Sequence, residues 1–164
     1  MRNTAIYLNG VWPDFLEEIT QVQCRYPTQT LFLQPTGDRP ITYLKRRIAS
    51  IEDPVILYAS PTNDRAHVHY AAEVVGWDDK YKLRGKERER VERLISRFQK
   101  AEQYGVFEGA LNLIHVRNMR RLKQPFPISN LVKISNNEPL KQPPKAGGFS
   151  YVRPLEDMPP FSEC

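Results

Sequence analysis

Cysteine is scarce in this chain: Cys24 and Cys164 are the only two in 164 residues. Thiols so few and so far apart in sequence make neither a disulfide framework nor a CxxC metal site, and they point to a reducing compartment. Neither cysteine has a base beside it in sequence, so neither reads as a nucleophile. Long apolar runs are missing as well. No stretch reaches the roughly 18 apolar residues of a membrane-spanning helix, and MRNTAIYLNG lacks the apolar core of a secretory leader. A soluble, cytoplasmic protein is expected. GxxxxGK[ST], GxGxxG, HExxH and GxSxG are all absent. Nucleotide hydrolysis, Rossmann cofactors, zinc proteolysis and the hydrolase elbow therefore lose their usual sequence support. His67 and His69 flank Val68 and share a strand face. Only His115 and scattered acids could complete a metal site, so a polar strand end is the plainer reading, and no metal or other cofactor is expected.

Positive charge is present in excess. A net charge of +5 and a pI near 9.3 favour an anionic partner, nucleic acid being the commonest, against the blander reading of a basic solvated surface. The 40% apolar and 26% charged residues suit one globular domain, and 14 prolines suggest many turns and strand ends. AIYL (5–8) reads as a strand. In WPDFLEEITQVQCRY, Pro13 suits a first helical turn, and Phe15, Leu16, Ile19 and Val22 fall on one helical face. TLFLQ (30–34) reads as a strand, while ITYLKRRIASIED (41–53) fits a strand or a short helix. The clearest hairpin is VILYASPTNDRAHVHYAAEVVGW (55–77): two apolar strands, buried on both faces near their middle, joined by a polar turn. Residues 83–104 carry a helical stripe at Val91, Leu94, Ile95, Phe98 and Ala101, with Gly105 as C-cap. ALNLIHVRNMRRL (110–122) is a strand with a basic exit, PFPISNLVKI (125–134) a turn leading to a short helix or strand, and FSYV (149–152) a last strand. The proline- and acid-bearing LEDMPPFSEC offers little to pack and reads as a boundary. This order implies α+β with a mainly antiparallel, barrel-like sheet.

Two groups of residues carry candidate chemistry. Glu73 lies mid-strand, where a buried carboxyl needs a partner or a raised pKa; it could act as a base or accept a hydrogen bond, and a salt bridge is the duller explanation. Aromatic residues interleave with cations: Trp12, Tyr43, Tyr58, Trp77, Tyr81 and Phe126 lie near strand ends, and Lys45, Arg46, Arg47, Arg117, Arg120, Arg121 and Lys123 form two basic clusters. Flat rings stack on bases and cations hold phosphates, although a single aromatic is more often core.

VILYASPTNDRAHVHYAAEVVGW resembles the central hairpin of EVE domains, in the PUA-like group with the YTH and ASCH modules and similar in logic to SRA domains. LNLIHVRNMRRLKQPFPISNLVKISNNEPL (111–140) and GGFSYVRP resemble the segments that follow, so the likeness spans roughly residues 41–154, with AIYLNGVWPDFLEEI in place of the opening strand and helix. The resemblance implies a PUA-like, mainly antiparallel β-barrel with flanking helices in a domain of residues 1–154; the long helix at about 86–104, read from its own stripe, would be an insertion that reshapes the rim. Residues 155–164 would then be a tail or linker toward a downstream domain. It also implies a non-catalytic reader that flips a modified base, 5-methylcytosine or 5-hydroxymethylcytosine in double-stranded DNA, into an aromatic pocket. Such domains occur as readers of modification-dependent restriction endonucleases fused to an HNH nuclease. The implied pocket comprises Trp12, Tyr43, Tyr58, Ser60, Asn63, Glu73 and Trp77, with Lys45, Arg46, Arg47, Arg117, Arg120, Arg121 and Lys123 on phosphates. The usual opening Trp of an EVE domain has only Trp12 as its counterpart here. The alternatives are a YTH-like reader of modified RNA, an ASCH-like nucleoside amidohydrolase using Glu73 and a nearby Lys, and a protein-interaction domain.

Overall fold

In the computed structural model the described residues are 4–33, 39–47, 49–78, 83–96, 113–144 and 148–164. Strand β1 (Ala5–Val11) leads into helix α1 (Pro13–Arg25), followed by β2 (Leu31–Leu33), α2 (Arg39–Arg47), β3 (Val55–Pro61) and β4 (His67–Asp78). Helix α3 (Gly85–Ser96), β5 (Leu113–Pro127), a 3-10 turn (Ile128–Asn130) and β6 (Phe149–Val152) complete the order. The strands form one mixed sheet in the order β2-β5-β4-β3-β1-β6. β1 and β3 run parallel and the other pairs antiparallel. The fold is thus α+β, but the sheet is not the closed barrel that the sequence suggests: β2 and β6 are its two edges. Short bridging hydrogen bonds join the segment after β5 to β6, Ile134 N–H to the Tyr151 carbonyl and Arg153 N–H to the Val132 carbonyl.

Alternation along the strands sends side chains to two apolar clusters, one on each face of the sheet. Ile6, Leu8, Leu57, Ala59, Ala72 and Val74 join Phe15, Leu16 and Ile19 of α1 and Leu44 of α2 in the first. Ala5, Tyr7, Tyr58, Val68, Ala71, Leu122, Phe126 and Val152 make the second. The β3–β4 hairpin is therefore buried on both faces, as its composition implies. No helix of the described residues is long and apolar enough to cross a membrane.

Helix α1 starts as its sequence dictates, with Pro13 in the first turn and Asp14 beside the helix N-terminus. Segment 41–53, open between strand and helix, contributes helix α2; Pro40 lies in its first turn, where a missing N–H costs nothing. The rest of the long helix expected at about 86–104, including the Gly105 cap, lies outside the described residues, as does Tyr81. Segment 110–134 departs from expectation, because one long strand replaces a strand and a turn. Pro125 is tolerated because pairing with β4 jumps from Val68↔Phe126 to Tyr70↔Arg121, so residues 122–125 bulge opposite His69 alone and Pro125 needs no ladder hydrogen bond, while Pro127 is the last residue of the strand.

Residues 155–164 also depart from the expectation that they offer little to pack. The segment lies along that bulge: Leu122 bridges to Phe161, Lys123 N–H donates to the Pro160 carbonyl at 2.8 Å, and Ser162 N–H to the Arg121 carbonyl at 2.8 Å. Its end is tied to α1 by a Cys24–Cys164 disulfide, with the two Cα atoms 5.4 Å apart. The two cysteines, read as too few and too far apart in sequence for a disulfide framework, thus form one bond. A separation of 140 residues along the chain says nothing of distance once β5 carries the end of the chain past α1. The scarcity of cysteine therefore no longer argues for a reducing compartment.

Candidate nucleic-acid interface

A buried glutamine holds α1 against β5. Gln23 is fully buried, and its Nε2 donates to the carbonyls of Val116 and Gln29, both at 2.9 Å, while its Oε1 accepts the Met119 N–H at 2.6 Å. Its amide is thus satisfied on both sides. The strand it grips is bulged: pairing with β4 jumps from Ala71↔Arg120 to Glu73↔Arg117, and Asn118 between them takes a φ of 53°. Asn tolerates that left-handed conformation, and its N–H is satisfied by the Pro27 carbonyl at 3.0 Å. Below the bulge, β5 carries Arg120, Arg121 and Lys123 past the end of α1.

There the chain forms an open cavity of about 930 Å³, lined by Glu17, Thr20, Gln21, Val22, Cys24, Arg25 and Tyr26 from α1 and its cap, by Arg120, Arg121 and Lys123 from β5, and by Ser162, Glu163 and Cys164. Four cationic side chains face two carboxylates, an excess suited to holding an anion. Arg25, Arg121 and Lys123 are exposed and form no ion pair with another described residue. Arg120 is partly buried: its guanidinium donates to the Ser162 carbonyl at 2.9 Å and lies 5.3 Å from the centre of the Phe161 ring, while its buried Nε has no hydrogen-bond partner among the described residues. Glu17 Oε2 accepts the Tyr70 hydroxyl at 3.1 Å. Burial, reinforced by the Glu17 charge, pushes the Tyr70 phenol up to about 12, with Arg121 pulling the other way.

The residues of the expected base pocket do not gather in one place. Tyr58 and Ser60 are fully buried. Tyr58 packs edge-on against Phe126, and its hydroxyl accepts the Leu155 N–H at 2.9 Å; burial raises its pKa. The Ser60 hydroxyl lies 2.9 Å from that of Tyr7 and donates to the His67 carbonyl, so it braces the hairpin turn from inside. Tyr43 and Trp77 pack instead against the cluster on the opposite face of the sheet. Helix α2 carries Tyr43 to that face, and Trp77 reaches it beyond the register shift between Val74 and Gly76, so no single pocket can be lined by all four. Tyr43, on α2, lies 4.6 Å from the Tyr151 ring, which contacts Phe149 in turn, and the buried Tyr43 hydroxyl has no hydrogen-bond partner among the described residues. Trp12 is exposed at the start of α1, and Asn63 is exposed in the hairpin turn.

Glu73 is cross-strand from Arg117, whose Nε donates to it at 2.6 Å and whose Nη2 donates to the Ile51 carbonyl. That is the salt bridge of the plainer reading, and it takes Arg117 away from the free cations. Lys45, Arg46 and Arg47 are exposed in the last turn of α2. His67 Nδ1 and His69 Nε2 both turn to Asp64, at 3.0 and 2.8 Å, and these hydrogen bonds hold the Asp64 carboxyl below the usual carboxylate range. Among the described residues no group of three or more His, Cys, Asp or Glu side chains is placed to hold a metal ion.

Of the predicted residues, then, the cavity unites Arg120, Arg121 and Lys123. Glu17, Arg25 and Tyr26 are not among the residues that the sequence singles out, and the two cysteines of the wall are set aside there as carrying no chemistry. The sequence signal for Arg25 and Tyr26 is that they come just after Val22, the last apolar position of the helical stripe, where a helix end meets solvent. No family model, no curated protein and no solved structure matches this chain.

Proposed function

We propose that this chain is a non-catalytic nucleic-acid-binding domain of the EVE type, a PUA-like reader of 5-methylcytosine or 5-hydroxymethylcytosine in DNA that serves a modification-dependent restriction system. The observation that carries the proposal is the cationic cavity at the end of α1, where Arg25, Arg120, Arg121 and Lys123 converge. Guanidinium and ammonium groups in an open, concave site are the usual partners of phosphodiester backbones. A volume of about 930 Å³ also lies within the roughly 300–1,000 Å³ typical of small-molecule sites, ample for a flipped nucleotide. The choice of a modified cytosine rests on the resemblance of residues 55–77 to the EVE hairpin.

Fluorescence anisotropy with duplexes carrying cytosine, 5-methylcytosine, 5-hydroxymethylcytosine or N6-methyladenine, and with matched RNA, tests the proposal. A modified-cytosine duplex is expected to bind most tightly. Replacing Arg121 and Lys123 by Ala is expected to weaken every duplex alike and to flatten the log–log salt slope by about 2. Equal affinity for modified and unmodified duplexes, a preference for RNA, or no binding at low salt would each overturn it.

A further inference from the structure

The cavity holds more than cations. Tyr26, which caps α1, is the one aromatic residue in its lining among the described residues, and it is 60% exposed. Its backbone is fixed: its N–H donates to the Val22 carbonyl at 2.9 Å, and its own carbonyl accepts the Gln29 N–H at 3.0 Å. A solvent-facing ring on a fixed backbone, lining one cavity with guanidinium groups, is what a stacking platform for an unpaired base requires, because the base face binds the ring while its phosphates bind the cations. On the same wall, Glu17 is oriented by the Tyr70 hydroxyl through one carboxylate oxygen, which leaves the other for a donor in the cavity.

We infer that this cavity takes one unstacked nucleotide whose base bears an exocyclic amine, with Tyr26 as the stacking face, Glu17 as the acceptor for the amine, and Arg121 and Lys123 on the flanking phosphates. The inference rests on the proposed nucleic-acid reading and adds to it the place and the chemistry of base binding. A carboxylate accepts from the N4 amine of cytosine and repels the O4 carbonyl that thymine presents at the same position. Methylation at C5 leaves the amine unchanged, so a modified cytosine satisfies Glu17 as well as a plain one does. Discrimination between cytosine and its modified forms is thereby assigned to contacts other than Glu17.

The test is anisotropy of the full chain with labelled single-stranded oligo(dC) and oligo(dT). Oligo(dC) is expected to bind about tenfold more tightly, in line with one good polar base contact. Tyr26→Ala is expected to weaken both oligonucleotides by about tenfold, the scale of one lost stacking contact, while Tyr26→Phe retains binding. Glu17→Gln keeps an acceptor for Tyr70 but offers an amide N–H to thymine O4, so the cytosine preference is expected to vanish or reverse. Equal binding of the two oligonucleotides by the wild type, unchanged binding by Tyr26→Ala, or a cytosine preference that survives Glu17→Gln overturns the inference. If binding is nevertheless lost in the Arg121→Glu, Lys123→Glu double variant, the nucleic-acid reading stands without it. Absence of binding to either oligonucleotide or to any duplex removes both.

Discussion

Reduction of the Cys24–Cys164 bond is expected to destabilise the chain through its unfolded state. In the folded state the segment ending at Cys164 is already held on β5 by the Ser162 and Lys123 backbone hydrogen bonds and by Phe161 under Arg120, so breaking the bond leaves most native contacts in place. Unfolded, the oxidised chain is a closed loop over a sequence separation of 140. The loop-closure relation assigns such a loop about 5 kcal/mol at 25 °C, an upper figure because bonds of this kind often deliver nearer 2–4 kcal/mol. At about 2–4 °C per kcal/mol for a chain of this size, the melting temperature is expected to fall by roughly 5–15 °C, and by no more than about 20 °C. The assay is urea or thermal unfolding with and without a dithiol, with thiol titration of the folded protein in each state. Cys24→Ser, Cys164→Ser and the double variant are all expected to match the reduced wild type, because each removes the same bond and their effects do not add. If thiol titration shows the bond formed and the two midpoints still coincide, the unfolded-state reasoning is refuted. Two free thiols in the folded protein under oxidising conditions refute the pairing itself.

Two further outcomes follow from the polar contacts. Gln23→Leu fills similar space but strands the Met119 N–H and the carbonyls of Val116 and Gln29, so a loss of about 2–4 kcal/mol in urea unfolding is expected at a site with several orphaned buried groups, and a loss under 1 kcal/mol would show that water or rearrangement satisfies them. The folded-state pKa of Asp64 is depressed below its ordinary value of 3.8, first by the hydrogen bond from His67 and then by that from His69. Its stabilisation is therefore present above that value and lost as the pH falls through the lower folded-state value. In unfolding midpoints measured from about pH 5 down to pH 2, Asp64→Asn is expected to flatten the acid limb, and an unchanged limb would show that the His67–Asp64–His69 contacts contribute nothing.

The elements governed by neighbouring residues are legible in the sequence. Pro13 and the spacing of Phe15, Leu16 and Ile19 mark α1, the apolar runs on either side of the polar turn mark the β3–β4 hairpin, and FSYV marks β6. Each depends on backbone preference or side-chain period over a few residues, and each survives in the fold. The helix at Arg39–Arg47 and the single long β5 are less legible. A short apolar stretch fits either state, and Pro125 is acceptable within β5 because it falls in the bulge opposite His69, while Pro127 stands at the strand's last position.

The site divides the same way. The sequence by itself determined that the chain carries excess positive charge, with a basic run at Arg120, Arg121 and Lys123, and that residues 55–77 form a hairpin buried on both faces near its middle. Only the tertiary structure decided that Tyr58 and Tyr43 are on opposite faces of the sheet, that Arg117 is spent on Glu73, and that Cys24 meets Cys164. It also decided that Arg25 and Tyr26 join the β5 cations around one cavity. The reason is that local propensity and periodicity act over a few residues, whereas a cavity is made by surfaces brought together over more than a hundred.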